Sequence, residues 1–129
     1  MQKAILDVAA FHMATDTPNR NEPTWPCDSR VRLRTDLICE EYTELRKAIL
    51  LRNMVDTADA IADLIYVLIG AALEFGIPLE AVWNEVQRSN MAKVDPATGK
   101  VRKREDGKVL KPEGWTPPDI EAVLRGALR

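Results

Sequence analysis

Apolar residues recur along most of this chain at intervals of three and four, the spacing of helices that bury one face. The prolines and glycines fall mainly between these runs. From Gln2 to about Met13, the residues Ile5, Val8, Ala9 and His12 share a helical face, and Thr15 to Cys27 then reads as a polar loop with three prolines. Asp28 or Ser29 can cap a second helix, in which Val31, Ile38, Tyr42, Leu45 and Ile49 recur at steps of 7, 4, 3 and 4 before Arg52 and Asn53. A third helix runs from about Val55 to Phe75. It is apolar nearly all round after Asp63, which predicts a central helix covered on most sides. Gly76 and Pro78 stop it, and Leu79 to about Met91 predicts a fourth helix with Val82, Trp83 and Val86 turned inward. Beyond it, KVRKREDGKVLKPEGW alternates weakly around Asp106-Gly107, a favoured two-residue hairpin turn. Ile120, Val123, Leu124 and Leu128 suit a short last helix. The expected fold class is all-α: a four-helix-bundle-type core with a C-terminal hairpin or arm at about 93–116 and a short final helix.

At 129 residues, 46% hydrophobic and 29% charged, the chain fits a single compact domain over its whole length. Two cysteines, Cys27 and Cys39, stand behind an opening MQKAILDVAAFHMATD in which Asp7 and His12 interrupt anything like a secretory segment. The expectation is a cytoplasmic protein with free thiols. The longest apolar run, Leu64 to Leu73, is far short of the roughly 18 residues that suggest a membrane span. A formal net charge of −2 argues against nucleic acid as a partner. The distribution is uneven, however. Asp36 to Asp63 holds seven acids against three bases, whereas Arg88 to Lys111 holds eight bases against three acids. An acidic centre precedes a basic arm.

The acids carry the candidate chemistry. Glu40, Glu41 and Glu44 form an E-E-x-x-E string within about one third of a helix circumference. By itself such a string is usually a solvated face. Asp56, Asp59 and Asp63 stand at i, i+3 and i+7 on the helix expected to be buried, and no Lys or Arg occurs between Asn53 and Pro78. Buried carboxylates without cations are costly. Mg²⁺ or Mn²⁺, which prefers carboxylate and water oxygens and keeps positions open for phosphates, would neutralise them.

These residues also carry a resemblance. The order E-E-x-x-E (Glu40, Glu41, Glu44), then D-x-x-x-D-L-I-Y-V-L-I-G (Asp59 to Gly70), R-S-N-M-A-K (Arg88 to Lys93), D-G-K-V-L-K-P-E-G-W (Asp106 to Trp115) and P-P-D-I resembles the all-α nucleoside triphosphate pyrophosphohydrolases. Within that superfamily it looks like the phosphoribosyl-ATP pyrophosphohydrolase-like, MazG-like branch, over roughly Val31 to Ile120. The resemblance implies a four-helix bundle that forms homodimers or homotetramers, with Mg²⁺ as cofactor and Mn²⁺ as a substitute. It implies hydrolysis of a nucleoside triphosphate to the monophosphate and pyrophosphate in nucleotide-pool house-cleaning. One departure stands out: the second family element is commonly E-x-x-D, and the residue three before Asp63 is Ala60.

On that family reaction, Glu40, Glu44, Asp59 and Asp63 are the implied metal ligands, with Asp56 and Asp59 an alternative register. Glu41 would orient or deprotonate the attacking water, although Glu40 and Glu41 can exchange roles. Lys93, Lys108 and Lys111 would neutralise the triphosphate, Asn90 would hydrogen-bond sugar or phosphate, and Trp115 would stack on the base. His12, the one histidine, is read as a packed or surface residue and Trp83 as core, while Arg102, Lys103 and Arg104 fit a solvated strand as well as a phosphate contact and are left out of the site. The rival reading is a non-enzymatic helical dimer that binds nucleic acid or a protein partner. A carboxylate-bridged di-iron bundle would need Glu-x-x-His motifs, and the second and third helices hold no histidine.

Overall fold

The computed structural model describes residues 1–126, and Leu128 of the expected last helix lies outside them. The described residues are all-α apart from a two-stranded sheet: α1 (Gln2–Ala14), α2 (Asp28–Leu50), α3 (Met54–Phe75), α4 (Leu79–Met91), β1 (Val94–Asp95), β2 (Lys100–Val101) and α5 (Ile120–Leu124). They form two compact units, Met1 to Leu79 and Glu80 onward. No single helix among them is long and apolar enough to cross a membrane.

In the first unit α2 and α3 make an antiparallel hairpin joined by a tight turn, and α1 packs on α3. Small residues set the close approach of these helices: Ala48 of α2 and Ala60 and Ala72 of α3 are buried with Val8 and Ile69. The N-terminus of α3 is capped by Asn53, whose side chain accepts from the Asp56 N–H, which meets one of the orphan donors there. The helix ends at Gly76 in a left-handed conformation (φ 69°), where a Cβ would lie 1.9 Å from the Glu22 carbonyl oxygen. The loop after α1 is therefore laid against this end of α3. Arg20 and Thr24 donate backbone N–H groups to the Leu73 and Phe75 carbonyls, and Trp25 meets the edge of Phe75 at 5.3 Å between centroids.

The buried face of α2 departs from the apolar stripe read from the sequence. Arg34 and Ala48 are buried and Glu41 half-buried, whereas Tyr42 and Ile49 are more than half exposed. Arg34, which finds Glu74 on α3, occupies the inner face, and a pattern of apolar positions does not register it. The cap of α2 differs too, since Cys27 stands at the N-cap position, neither Asp28 nor Ser29, and makes no side-chain capping bond. The third helix is less covered than its composition predicts. Ile61, Ile65 and Leu68 are nearly half exposed.

In the second unit the packed side of α4 is Glu85 and Ser89, while Trp83 and Val86 are exposed. Glu85 accepts from the Asp119 N–H at 2.9 Å, and Arg88 donates to the Pro117 carbonyl at 3.2 Å, so the segment before α5 is tied to α4. Val123 and Ala122 of α5 are buried. The arm folds back twice. Val94 pairs with Val101 and Asp95 with Lys100 in an antiparallel ladder, and a second antiparallel bridge joins Lys103 to Val109 across the Asp106-Gly107 turn read from the sequence.

Candidate active site

Glu41 and Glu44 lie one turn apart on α2, and the antiparallel hairpin sets Asp63 of α3 against them. One carboxylate oxygen from each of the three lies within 4.8 Å of the others. Asp63 and Glu41 are half-buried and Glu44 is exposed, so the cluster opens to solvent on one side. Among the described residues none of the three is in an ion pair with Lys or Arg. The two arginines that reach α3 from α2, Arg30 and Arg34, are bound to Glu74 instead.

The cluster is consequently under electrostatic load. Burial pushes the Glu41 carboxyl above the usual carboxylate range, and the charges of Glu44, Asp63 and Glu40 push it the same way. Its Oε2 is buried with no hydrogen-bond partner. An orphaned carboxylate oxygen costs free energy in a folded protein, and three carboxylates at this separation repel unless a cation neutralises them. A hard divalent ion fits the donor set, which is all oxygen and open on one side.

The residues named from the sequence are therefore divided by the structure. Glu44 and Asp63 come together, and Glu41 joins them. Glu40, one position before Glu41 on α2, and Asp59, one turn before Asp63, are exposed and outside the three-residue group. Asp56 is exposed at the start of α3, where it accepts from the Asn53 side chain at 2.7 Å. Thus one aspartate of the α3 stripe, not all three, sits on the packed side.

The basic residues form their own arrangement in the second unit. Lys93 and Lys111 hold their ammonium groups 5.4 and 4.6 Å from the centre of the Trp115 ring, a cation–π geometry. The indole N–H donates to the Ser89 carbonyl at 2.7 Å, so the ring is anchored by its edge and its faces carry the cations. Lys93 also donates to Asn90 Oδ1 at 3.1 Å. A cavity of about 640 Å³ lies beside them, lined in part by Lys93, Asp95, Arg102 and Lys111. Lys108 is exposed on the far hairpin and outside this lining. Arg102 and Arg104 are paired with Asp95 and Asp106, which takes two of the arm's cations out of the free positive charge.

Sequence reading did not find Glu74, Arg30, Arg34 or the part played by His12. Glu74 is fully buried and accepts from both arginines. Burial alone would raise its pKa, but those hydrogen bonds and charges outweigh it and hold the carboxyl below its ordinary value. The signal was present as two arginines four apart on α2 and a lone acid in the apolar stretch of α3 after Asp63.

Among curated proteins none matches the chain. A crystal structure of a candidate NTP pyrophosphohydrolase from Exiguobacterium sp. 255-15 is similar over 95% of both chains, with 27% sequence identity and a TM-score of 0.53. The sequence profile of the phosphoribosyl-ATP pyrophosphohydrolase family matches residues 8–90, a span that holds α2, α3 and all three clustered carboxylates. With most of its length in that match, this chain belongs to the phosphoribosyl-ATP pyrophosphohydrolase family.

Proposed function

We propose that the chain is a metal-dependent nucleoside triphosphate pyrophosphohydrolase that releases pyrophosphate and leaves the monophosphate, with a house-cleaning role in the nucleotide pool. The observation that carries this reading is the buried, unpartnered Oε2 of Glu41 among three carboxylates with no basic residue paired to them among the described residues. Mg²⁺ or Mn²⁺ would be held by Glu41, Glu44 and Asp63. When bound, the ion supplies Lewis acidity toward the phosphates and the attacking water. Glu40, beside the cluster and exposed, then takes the role of orienting that water or accepting its proton, one of the two assignments that the helix spacing allows. Within the second unit, Lys93 and Lys111 offer paired cations suited to an anionic group. Trp115, held by Ser89 and covered by those lysines, supports them instead of stacking freely on a base.

Self-association belongs to the same reading. Met54, Val55, Ile61, Ile65 and Leu68 form an apolar stripe on α3 at helical spacing, between 45% and 79% exposed. Soluble monomers rarely leave so continuous a patch open, and a second copy of this chain, aligned by a two-fold axis, would cover it.

The test is pyrophosphate release across a panel of ribo- and deoxyribonucleoside triphosphates with Mg²⁺, Mn²⁺ and chelator. Activity should vanish with chelator and in Glu44→Gln. Glu41→Gln should abolish Mn²⁺ binding measured by calorimetry, whereas Glu40→Gln should keep binding and lower kcat about 100-fold or more. Full activity of Glu41→Gln or of the chelated protein would refute the assignment.

A further inference from the structure

Behind the carboxylate cluster lies a second, buried array. Glu74 of α3 accepts from Arg30 Nη2 at 3.0 Å and from Arg34 Nε at 2.5 Å. Arg34 turns its Nη2 to His12 Nε2 of α1 at 3.3 Å. Arginine has donors only, so Nε2 must accept and the imidazole proton must sit on Nδ1. Nδ1 faces Asn19 Oδ1 at 3.0 Å, and the Asn19 amide is fixed in that sense because its Nδ2 donates to the Ala9 carbonyl at 3.0 Å. The array therefore has one consistent proton arrangement, with His12 neutral. Gly70 makes room for it, since a Cβ there would lie 2.8 Å from Arg34 Nη1 and 3.0 Å from His12 Nε2.

The array and the cluster share one helix register. Arg34 lies against Gly70, and Glu41, seven residues later on α2, lies against Asp63, seven residues earlier on α3. Two turns of helix separate the pairs, roughly 10 Å along the axis.

We propose that His12, Arg34 and Glu74 form a pH-sensitive positioning device for the carboxylate cluster. Neutral His12 completes the array and fixes α2 against α3, and a proton on Nε2 sets a second cation against Arg34 and loosens that register. The inference rests on the metal reading above and adds its regulation. The charged groups acting on His12 are Arg34 from α2 and Glu74 from α3, and the loop offers only the neutral Asn19 side chain and the Pro18 carbonyl. With His12 neutral the array holds two cations and one anion, and a third cation would outnumber Glu74 further.

Burial and the Arg34 charge, in that order, lower the His12 pKa below 6.5. The unfolded chain thus takes up a proton that the folded chain refuses. The array's contribution is complete above pH 6.5 and declines as pH falls from there toward the folded-state value.

His12 is the sole histidine, so its ring resonance in the full chain can be followed by NMR without assignment, and its midpoint should fall below 6.5. In the wild type, Mn²⁺ affinity should drop about fivefold more on acidification through the measured His12 midpoint than in His12→Gln, whose amide oxygen keeps an acceptor for Arg34 and gains no proton. Asn19→Asp should move the His12 midpoint upward and carry the loss of affinity with it. This second variant keeps the test open even if His12→Gln folds poorly. Identical pH profiles in wild type and His12→Gln, or a midpoint at or above 6.5, would overturn the proposal. Should Mn²⁺ bind at no pH, the metal reading fails separately. Amide exchange in α2, corrected for intrinsic rates, must then still rise on acidification in the wild type and stay level in His12→Gln, or the array has no such role.

Discussion

Glu41 is the residue at which fold and chemistry conflict. Burial and three neighbouring carboxylates raise its pKa, so folding without metal disfavours its ionised form. A carboxyl whose pKa is raised on folding stabilises the fold below its unfolded value, near 4.5, and that contribution is lost as pH climbs through the folded value. Without metal, ionising Glu41 therefore works against the fold. Glu41→Gln should raise the melting temperature of the metal-free protein by roughly 2–5 °C and eliminate the further rise expected of the wild type when Mg²⁺ is added. Scanning calorimetry with and without chelator measures both, and a metal-free variant that melts below the wild type would count against the repulsion. At this scale the sequence showed that acids gather between α2 and α3 better than it showed which acids they are. Glu44 and Asp63 were legible because acids at helical spacing on two neighbouring helices repel one another unless a cation comes between them. The choice between Glu40 and Glu41 was not, since the two differ by about 100° around the helix and only the direction of packing decides which points inward. Glu74 stayed hidden because an acid inside an apolar run looks like an interruption until its two arginines are seen.

At the scale of elements, the helices were readable from periodicity and stop signals, while their faces were not. Four main helices and the last short one lie close to the expected ranges. Tyr42, Ile49, Trp83 and Val86 were expected inside and stand exposed, because Arg34 on α2 and Glu85 and Ser89 on α4 take the packed positions. The rule that apolar residues point inward fails where polar groups are satisfied by specific partners. Gly76 illustrates the opposite case, where a stop signal carries tertiary meaning. Its left-handed backbone and the Glu22 carbonyl 1.9 Å from a would-be Cβ leave no space for a side chain. Gly76→Ala should cost at least about 2 kcal/mol, seen as a lower urea midpoint with an unchanged slope. A neutral result would mean that the loop gives way freely.

For the molecule as a whole, the exposed apolar stripe of α3 decides whether the folded chain is sufficient alone. The sequence pointed to a helix apolar on nearly every side, and α1 and α2 cover only part of it. Ile65→Lys, in the middle of the stripe and away from the carboxylates on α3, should shift the protein from dimer or larger to monomer in sedimentation velocity at micromolar concentration. A wild type that sediments as a monomer would remove the second copy from the account. The charge asymmetry along the chain was also legible, but its use was not. Arg102 and Arg104 are held by Asp95 and Asp106, so the basic arm is less free to attract anions than its composition suggests.

The shared register of α2 and α3 has an evolutionary corollary. Arg34 against Gly70 and Glu41 against Asp63 are spaced by the same seven residues on both strands of the hairpin, close to two full turns. A codon inserted between Arg34 and Glu41 would swing one pair about 100° out of line with the other, severing the acids from the arginines in a single step. Length variation among descendants of this gene should therefore collect in the turn, the loops and the arm, and the stretch between the two pairs should change by substitution alone.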